Sequence, residues 1–112
     1  MIFKLLTGGQ WRGFCEEGAF AGAPVDLEDG YIHFSTAAQV EETALKHFSG
    51  EADLVLVAVD PEKLGDALKY EASRGGALFP HYYGTLTSAH VAWSQPLPLR
   101  ADGTHDFAGL LG

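Results

Sequence analysis

The chain has 112 residues, 46% apolar and 20% charged, the size and balance of one ordinary globular domain rather than a disordered tail. Seven Lys and Arg stand against 15 Asp and Glu, a net charge of −8. Arg12, Arg74 and Arg100 are scattered with no basic stripe, so nucleic acid is not an expected partner, although a small phosphorylated ligand is compatible.

The one cysteine, Cys15, excludes an internal disulfide and a Cys-rich zinc site, and points to a reducing compartment. The opening Met1-Ile2-Phe3-Lys4-Leu5-Leu6 lacks the basic region and long apolar run of a signal peptide. The longest apolar run, residues 54–59, is too short to span a bilayer. The expectation is a cytoplasmic chain without a membrane partner. It should form a single domain over residues 1–112, with a core over about 2–97 and a loose tail over 98–112.

Residues 2–6 read as a first strand. Thr7 and Gln10 form a capping box, and a short helix follows with Trp11, Phe14 and Cys15 on one face, Cys15 in the core, and Gly18 as its stop. Residues 21–30 read as a loop closed by the Asp29-Gly30 turn. Tyr31-Ile32-His33-Phe34-Ser35 is a strand whose alternation groups Tyr31, His33 and Ser35. Thr36 and Gln39 suggest a second capping box. The helix they start carries Ala37, Val40, Ala44 and Phe48 at helical spacing, and Gly50 ends it. Residues 54–59 are a buried central strand, and Asp60-Pro61 turns the chain. Residues 68–71 make a short strand, 73–76 a turn, and 77–84 hold the aromatic patch Phe79-Pro80-His81-Tyr82-Tyr83-Gly84. Residues 89–95 are a last strand, stopped by Pro96 and Pro98. The order predicts an α+β fold, with two short helices on a mostly antiparallel sheet.

Two histidines stand out. His33 lies on a strand just ahead of a helix start, where free N–H groups, helped by the hydroxyls of Ser35 and Thr36, suit an anionic group. The plain alternative is a hydrogen-bonded core histidine beside a capping residue. His81 sits among aromatics that suit a planar ligand stacked on Tyr82 or Tyr83, or it marks a packed corner. Glu71 is either a solvated strand-end charge or a carboxylate beside a pocket. His47, His90 and His105 are isolated, and no metal-binding spacing exists. A metal-dependent hydrolase would need His33 and His81 to meet, with Glu71 or Asp29 completing the site. Gly-x-Ser-x-Gly and phosphate-loop or dinucleotide fingerprints are absent.

Taken together, Lys4-Leu5-Leu6-Thr7 with Trp11, the run from Asp29 to Thr36 with Gln39, residues 53–60, Tyr70-Glu71 and residues 79–84 resemble the small bacterial family catalogued as domain of unknown function 952, over about residues 2–97. That family is similar in fold to the ADP-ribosyltransferases. Ile32-His33-Phe34-Ser35 matches the hydrophobic-His-hydrophobic-Ser strand of the tRNA 2′-phosphotransferase branch. Lys4 stands where that fold places a ribose-holding histidine, and no acidic residue matches its late catalytic glutamate. The resemblance implies an ADP-ribosyltransferase-like split sheet and NAD or an ADP-ribose-like ligand. On this reading His33, His81 and Glu71 are catalytic. Lys4, Thr7, Tyr31, Ser35, Thr36, Tyr82 and Tyr83 bind the ligand. The alternatives are a non-catalytic small-molecule binding module and the metal-dependent hydrolase.

Overall fold

The computed structural model describes residues 1–111. Its order is β1 (Ile2–Thr7), α1 (Gly8–Glu17), β2 (Ala19–Phe20), α2 (Pro24–Asp29), β3 (Ile32–His33), β4 (Ser35–Thr36), α3 (Val40–His47), β5 (Leu54–Val59), β6 (Leu68–Ala72), β7 (Leu78–Tyr82), β8 (Leu86–Thr87) and β9 (Val91–Leu97). A 3-10 segment, Pro61–Ala67, capped by Asp60, links β5 to β6.

The strands form three antiparallel sheets, ordered β4-β1-β5-β9, β3-β7-β6 and β2-β8. The first sheet is covered on both faces, which is why β5 is apolar throughout. Ile2, Leu6, Val55, Val57 and Val59 pack with Phe14 of α1 and with Ile32, Phe34, Tyr82 and Leu86. On the opposite face Phe3, Leu5, Leu54, Leu56 and Ala58 meet Val40 and Ala44 of α3 together with Leu97 and Phe107. By strand alternation Lys4 sits between Ile2 and Leu6 on the first of these faces.

The Thr7–Gln10 capping box is present in full. Several other expectations are corrected. Residues 24–29 are not loop but α2, with Pro24 in its first turn and the Ala23 N–H capped by Asp26. The predicted strand over 31–35 breaks at Phe34: β3 pairs with β7 and β4 with β1. Thr36 does not cap a helix. Its N–H is bonded by Gln39 Oε1, but α3 begins only at Val40, so no helix N-terminus adjoins Ser35. Cys15 is exposed, not core. Pro96 lies inside β9, tolerated because β9 is a sheet edge. The segment after residue 98 is anchored: Leu99 bridges His105 and Phe107 is buried. No helix among the described residues is long and apolar enough to cross a membrane.

Candidate functional site

The site forms where the first sheet splits. β4 pairs only with Ile2 and Phe3 of β1. The next residues, Lys4 and Leu5, line a cavity of about 400 Å³. His33, Phe34 and Ser35 form another wall, Phe79 and His81 a third, and Thr43, His47 and Phe48 close it from α3 and its end. A cavity of this size falls within the range that holds small ligands.

The two histidines meet because β3 and β7 pair in the register His33↔His81 and Ile32↔Tyr82. Directly opposed residues share a face. The imidazole centroids are 5.5 Å apart. Tyr31, one residue before β3, stacks on His81 at 4.1 Å and 29°, with His33 at 4.7 Å and Tyr83 at 5.2 Å. Burial, then Asp29 and Glu71, push the Tyr31 hydroxyl above the usual tyrosine range.

Each histidine has its own carboxylate partners. Nδ1 of His33 lies 2.6 Å from Oδ1 of Asp26, and Nε2 lies 2.9 Å from Oδ2 of Asp29. Both contacts are donated by the ring only when it carries both protons. Asp26 is fully buried and also holds Lys4, whose Nζ is 3.1 Å from Oδ1 and 2.9 Å from Oδ2. Backbone N–H groups of His33 and Ala23 donate to the same carboxylate at 3.1 and 2.8 Å. Burial alone would raise the Asp26 carboxyl. The His33 hydrogen bond, the Lys4 charge and the Ala23 amide outweigh it and hold the group at about 2. Burial pulls the Lys4 ammonium below its ordinary value, and Asp26 pulls it partly back.

His81 is arranged differently. It is almost wholly buried, and Nδ1 lies 2.9 Å from Oε1 of Glu71. Glu71 is opposite Phe79, so it reaches His81 along the diagonal of the β6–β7 pair. The Tyr83 hydroxyl donates to the same oxygen at 2.6 Å. That bond raises the Tyr83 hydroxyl to about 12, and the bonds from Tyr83 and His81 lower the Glu71 carboxyl. Nε2 of His81 is buried with no hydrogen-bond partner among the described residues.

Of the residues singled out from sequence, Lys4, His33, Ser35 and His81 line the cavity. Tyr31, Glu71 and Tyr83 pack or bond behind His33 and His81. Three lie elsewhere. Tyr82 points from the opposite face of β7 into the core, which removes it as a stacking platform. The Thr7 side chain caps α1, and Thr36 is tied through its backbone to Gln39. Asp26 and the cavity's Phe79, Thr43 and His47 were missed. A signal for Asp26 existed, because a lysine central to an apolar strand needs a buried acid. Both ring nitrogens of His33 already face carboxylates, which takes His33 out of the metal-ligand role. No group of three or more His, Cys, Asp or Glu among the described residues is placed to hold a metal ion.

Residues 5–94 match the family model described as Protein of unknown function (DUF952), and the chain belongs to that family. It is also similar to a solved protein, CC0527 from Caulobacter crescentus. The crystal structure of CC0527 is 48% identical with a TM-score of 0.91, the match covering 95% of this chain and 93% of that one. The solution NMR structure of CC0527, also 48% identical, gives a TM-score of 0.86 with 95% and 91% covered. No curated protein matches this chain.

Proposed function

We propose that the chain binds a small nucleotide-like molecule, of the NAD-derived or ADP-ribose-like class, in the cavity between β1, β3, β7 and α3. The observation that carries this reading is the meeting of His33 and His81, 48 positions apart, on one wall of a 400 Å³ cavity. Phe34 and Phe79 offer apolar surface to a planar ring, while Lys4, Ser35 and the histidines supply the few polar groups that orient a ligand. Tyr31, Glu71 and Tyr83 hold His81 in place rather than meeting the ligand themselves.

A second reading is ADP-ribosyl-type transfer, with His81 and Glu71 acting at the reacting ribose. The observation that favours it is the Glu71–His81 pair, a carboxylate that orients an imidazole beside a cavity. Such transfer needs groups placed where an oxocarbenium-like charge develops.

Titration of 15N-labelled protein with NAD, ADP-ribose and nicotinamide separates these. The binding reading predicts saturable amide shifts centred on Lys4, His33, Ser35 and His81 with at least one of them. No shift with any of the three removes it. Release of nicotinamide from NAD, lost in both His33→Ala and His81→Ala, would establish cleavage of the nicotinamide–ribose bond, and ADP-ribose found on an acceptor other than water would establish transfer.

A further inference from the structure

The segment that follows β9 turns back on the fold as a strap. Leu99 bridges His105, and the Arg100 N–H donates to the Thr104 carbonyl at 2.7 Å, so residues 99–105 form a tight hairpin. The hairpin clasps the turn after α3 at two points. The Gly50 N–H donates to the Gly103 carbonyl at 2.9 Å, and Nε2 of His105 lies 2.7 Å from the Glu51 carbonyl oxygen. A carbonyl only accepts, so Nε2–H is the donor.

The seating of the strap is incomplete. Nδ1 of His105 is buried with no partner among the described residues, which costs free energy at the clasp. Further along, Arg100, Phe107 and Leu111 line an opening of about 430 Å³ together with Glu41 of the first turn of α3. A segment held by few bonds beside such an opening releases at lower free energy than the core.

The clasped turn also ends one wall of the ligand cavity. Thr43, His47 and Phe48 form that wall, and the Glu51 N–H donates back to the Phe48 carbonyl at 3.0 Å. Phe3, Leu5 and Phe48 line the cavity and pack in the same apolar cluster as Phe107. The strap therefore reaches this wall by two routes, the backbone of residues 48–51 and the apolar cluster.

We propose, resting on the binding reading above, that strap and cavity are linked. The docked strap fixes Phe48 and the end of α3 in the arrangement that accepts a ligand, and a bound ligand tightens the strap in return. His105 is a positioning residue for the cavity: it acts through the Glu51 carbonyl and does not meet the ligand.

Amide hydrogen exchange and 15N shifts of the whole chain test this, with ADP-ribose as the probe. His105→Leu removes the donor, and His105→Gln keeps a side-chain N–H. In His105→Leu the Gly50 amide is expected to exchange roughly ten-fold or more faster, while the amides of the β1–β5 pair keep their wild-type rates. The His47 and Phe48 amides should shift, and ADP-ribose should bind about three- to ten-fold more weakly. His105→Gln is expected to recover most of both. In wild type, saturating ADP-ribose should slow Gly50 exchange by a comparable factor, because coupling is reciprocal. That measurement needs no variant, and an unslowed Gly50 would overturn the link even where His105→Leu does not fold. Faster Gly50 exchange in His105→Leu with an unchanged Phe48 shift and ADP-ribose affinity would overturn the link while leaving the ligand cavity standing. Unchanged Gly50 exchange would overturn the clasp. If wild type binds none of ADP-ribose, NAD and nicotinamide saturably, the binding reading falls and the link falls with it.

Discussion

Asp26 joins three elements through one carboxylate. It accepts from Lys4 on β1, from His33 on β3 and from the Ala23 N–H at the start of its own helix. Removing one partner of a buried ion pair leaves the other charged and unmatched. Asp26→Asn is therefore expected to destabilise the fold by about 3–5 kcal/mol, read from urea unfolding. The carboxyl titrates at about 2 in the folded chain and near 3.9 when unfolded. Its contribution, on the order of 2 kcal/mol, is complete above the unfolded value and is lost as the pH falls through the folded one. Wild type should therefore lose stability between about pH 4 and pH 2, and Asp26→Asn should show a shallower acid slope. Equal slopes would mean that Asp26 is not held as described. The sequence exposed one half of this pair, since Lys4 stands alone in an apolar strand. The other half was hidden in residues 21–30, whose Gly, Ala, Pro and Asp content reads as loop.

At the scale of elements, α2 was illegible because its cap carries no side chain to recognise. Ala23 occupies that position, and the capping comes from Asp26 three residues on. By contrast, the Thr7–Gln10 box and the apolar run of β5 are local signals, and both were readable. The break at Phe34 is not local: β3 and β4 part because their partners, β7 and β1, lie in different sheets. Gly22 completes the approach to α2 with φ +140°, and a Cβ there would lie 2.7 Å from Cβ of Asp26. Gly22→Ala should cost about 1–3 kcal/mol and shift the His33 resonances. Gly50→Ala has similar backbone strain, at φ +80°, but open space, and should leave His33 unmoved. Identical spectra around His33 in the two variants would contradict the contact.

At the scale of the molecule, antiparallel character and the α+β class follow from the order of patterned segments. The division into three sheets and the meeting of His33 with His81 depend on strand register, which side-chain periodicity does not encode. The C-terminal segment shows the same limit, because its Gly, Asp and Thr content conceals Phe107. That ring closes the face of the first sheet opposite the buried Asp26, beside Leu97 and α3. Phe107→Ala is expected to lose about 3–5 kcal/mol in denaturant unfolding while leaving the cavity histidines in place. A change below about 0.5 kcal/mol would return the segment to the status of a loose tail.

The central claim is that His33 and His81 share one wall of the cavity, with Nδ1 of His81 donating to Glu71. Long-range 1H–15N spectra of the imidazole nitrogens read that state directly. Nδ1 of His81 is expected to carry a proton, and NAD, ADP-ribose or nicotinamide is expected to shift the ring nitrogens of His33 and His81 together and saturably. A His81 ring with no proton on Nδ1, or ring resonances that none of the three compounds moves, would contradict it.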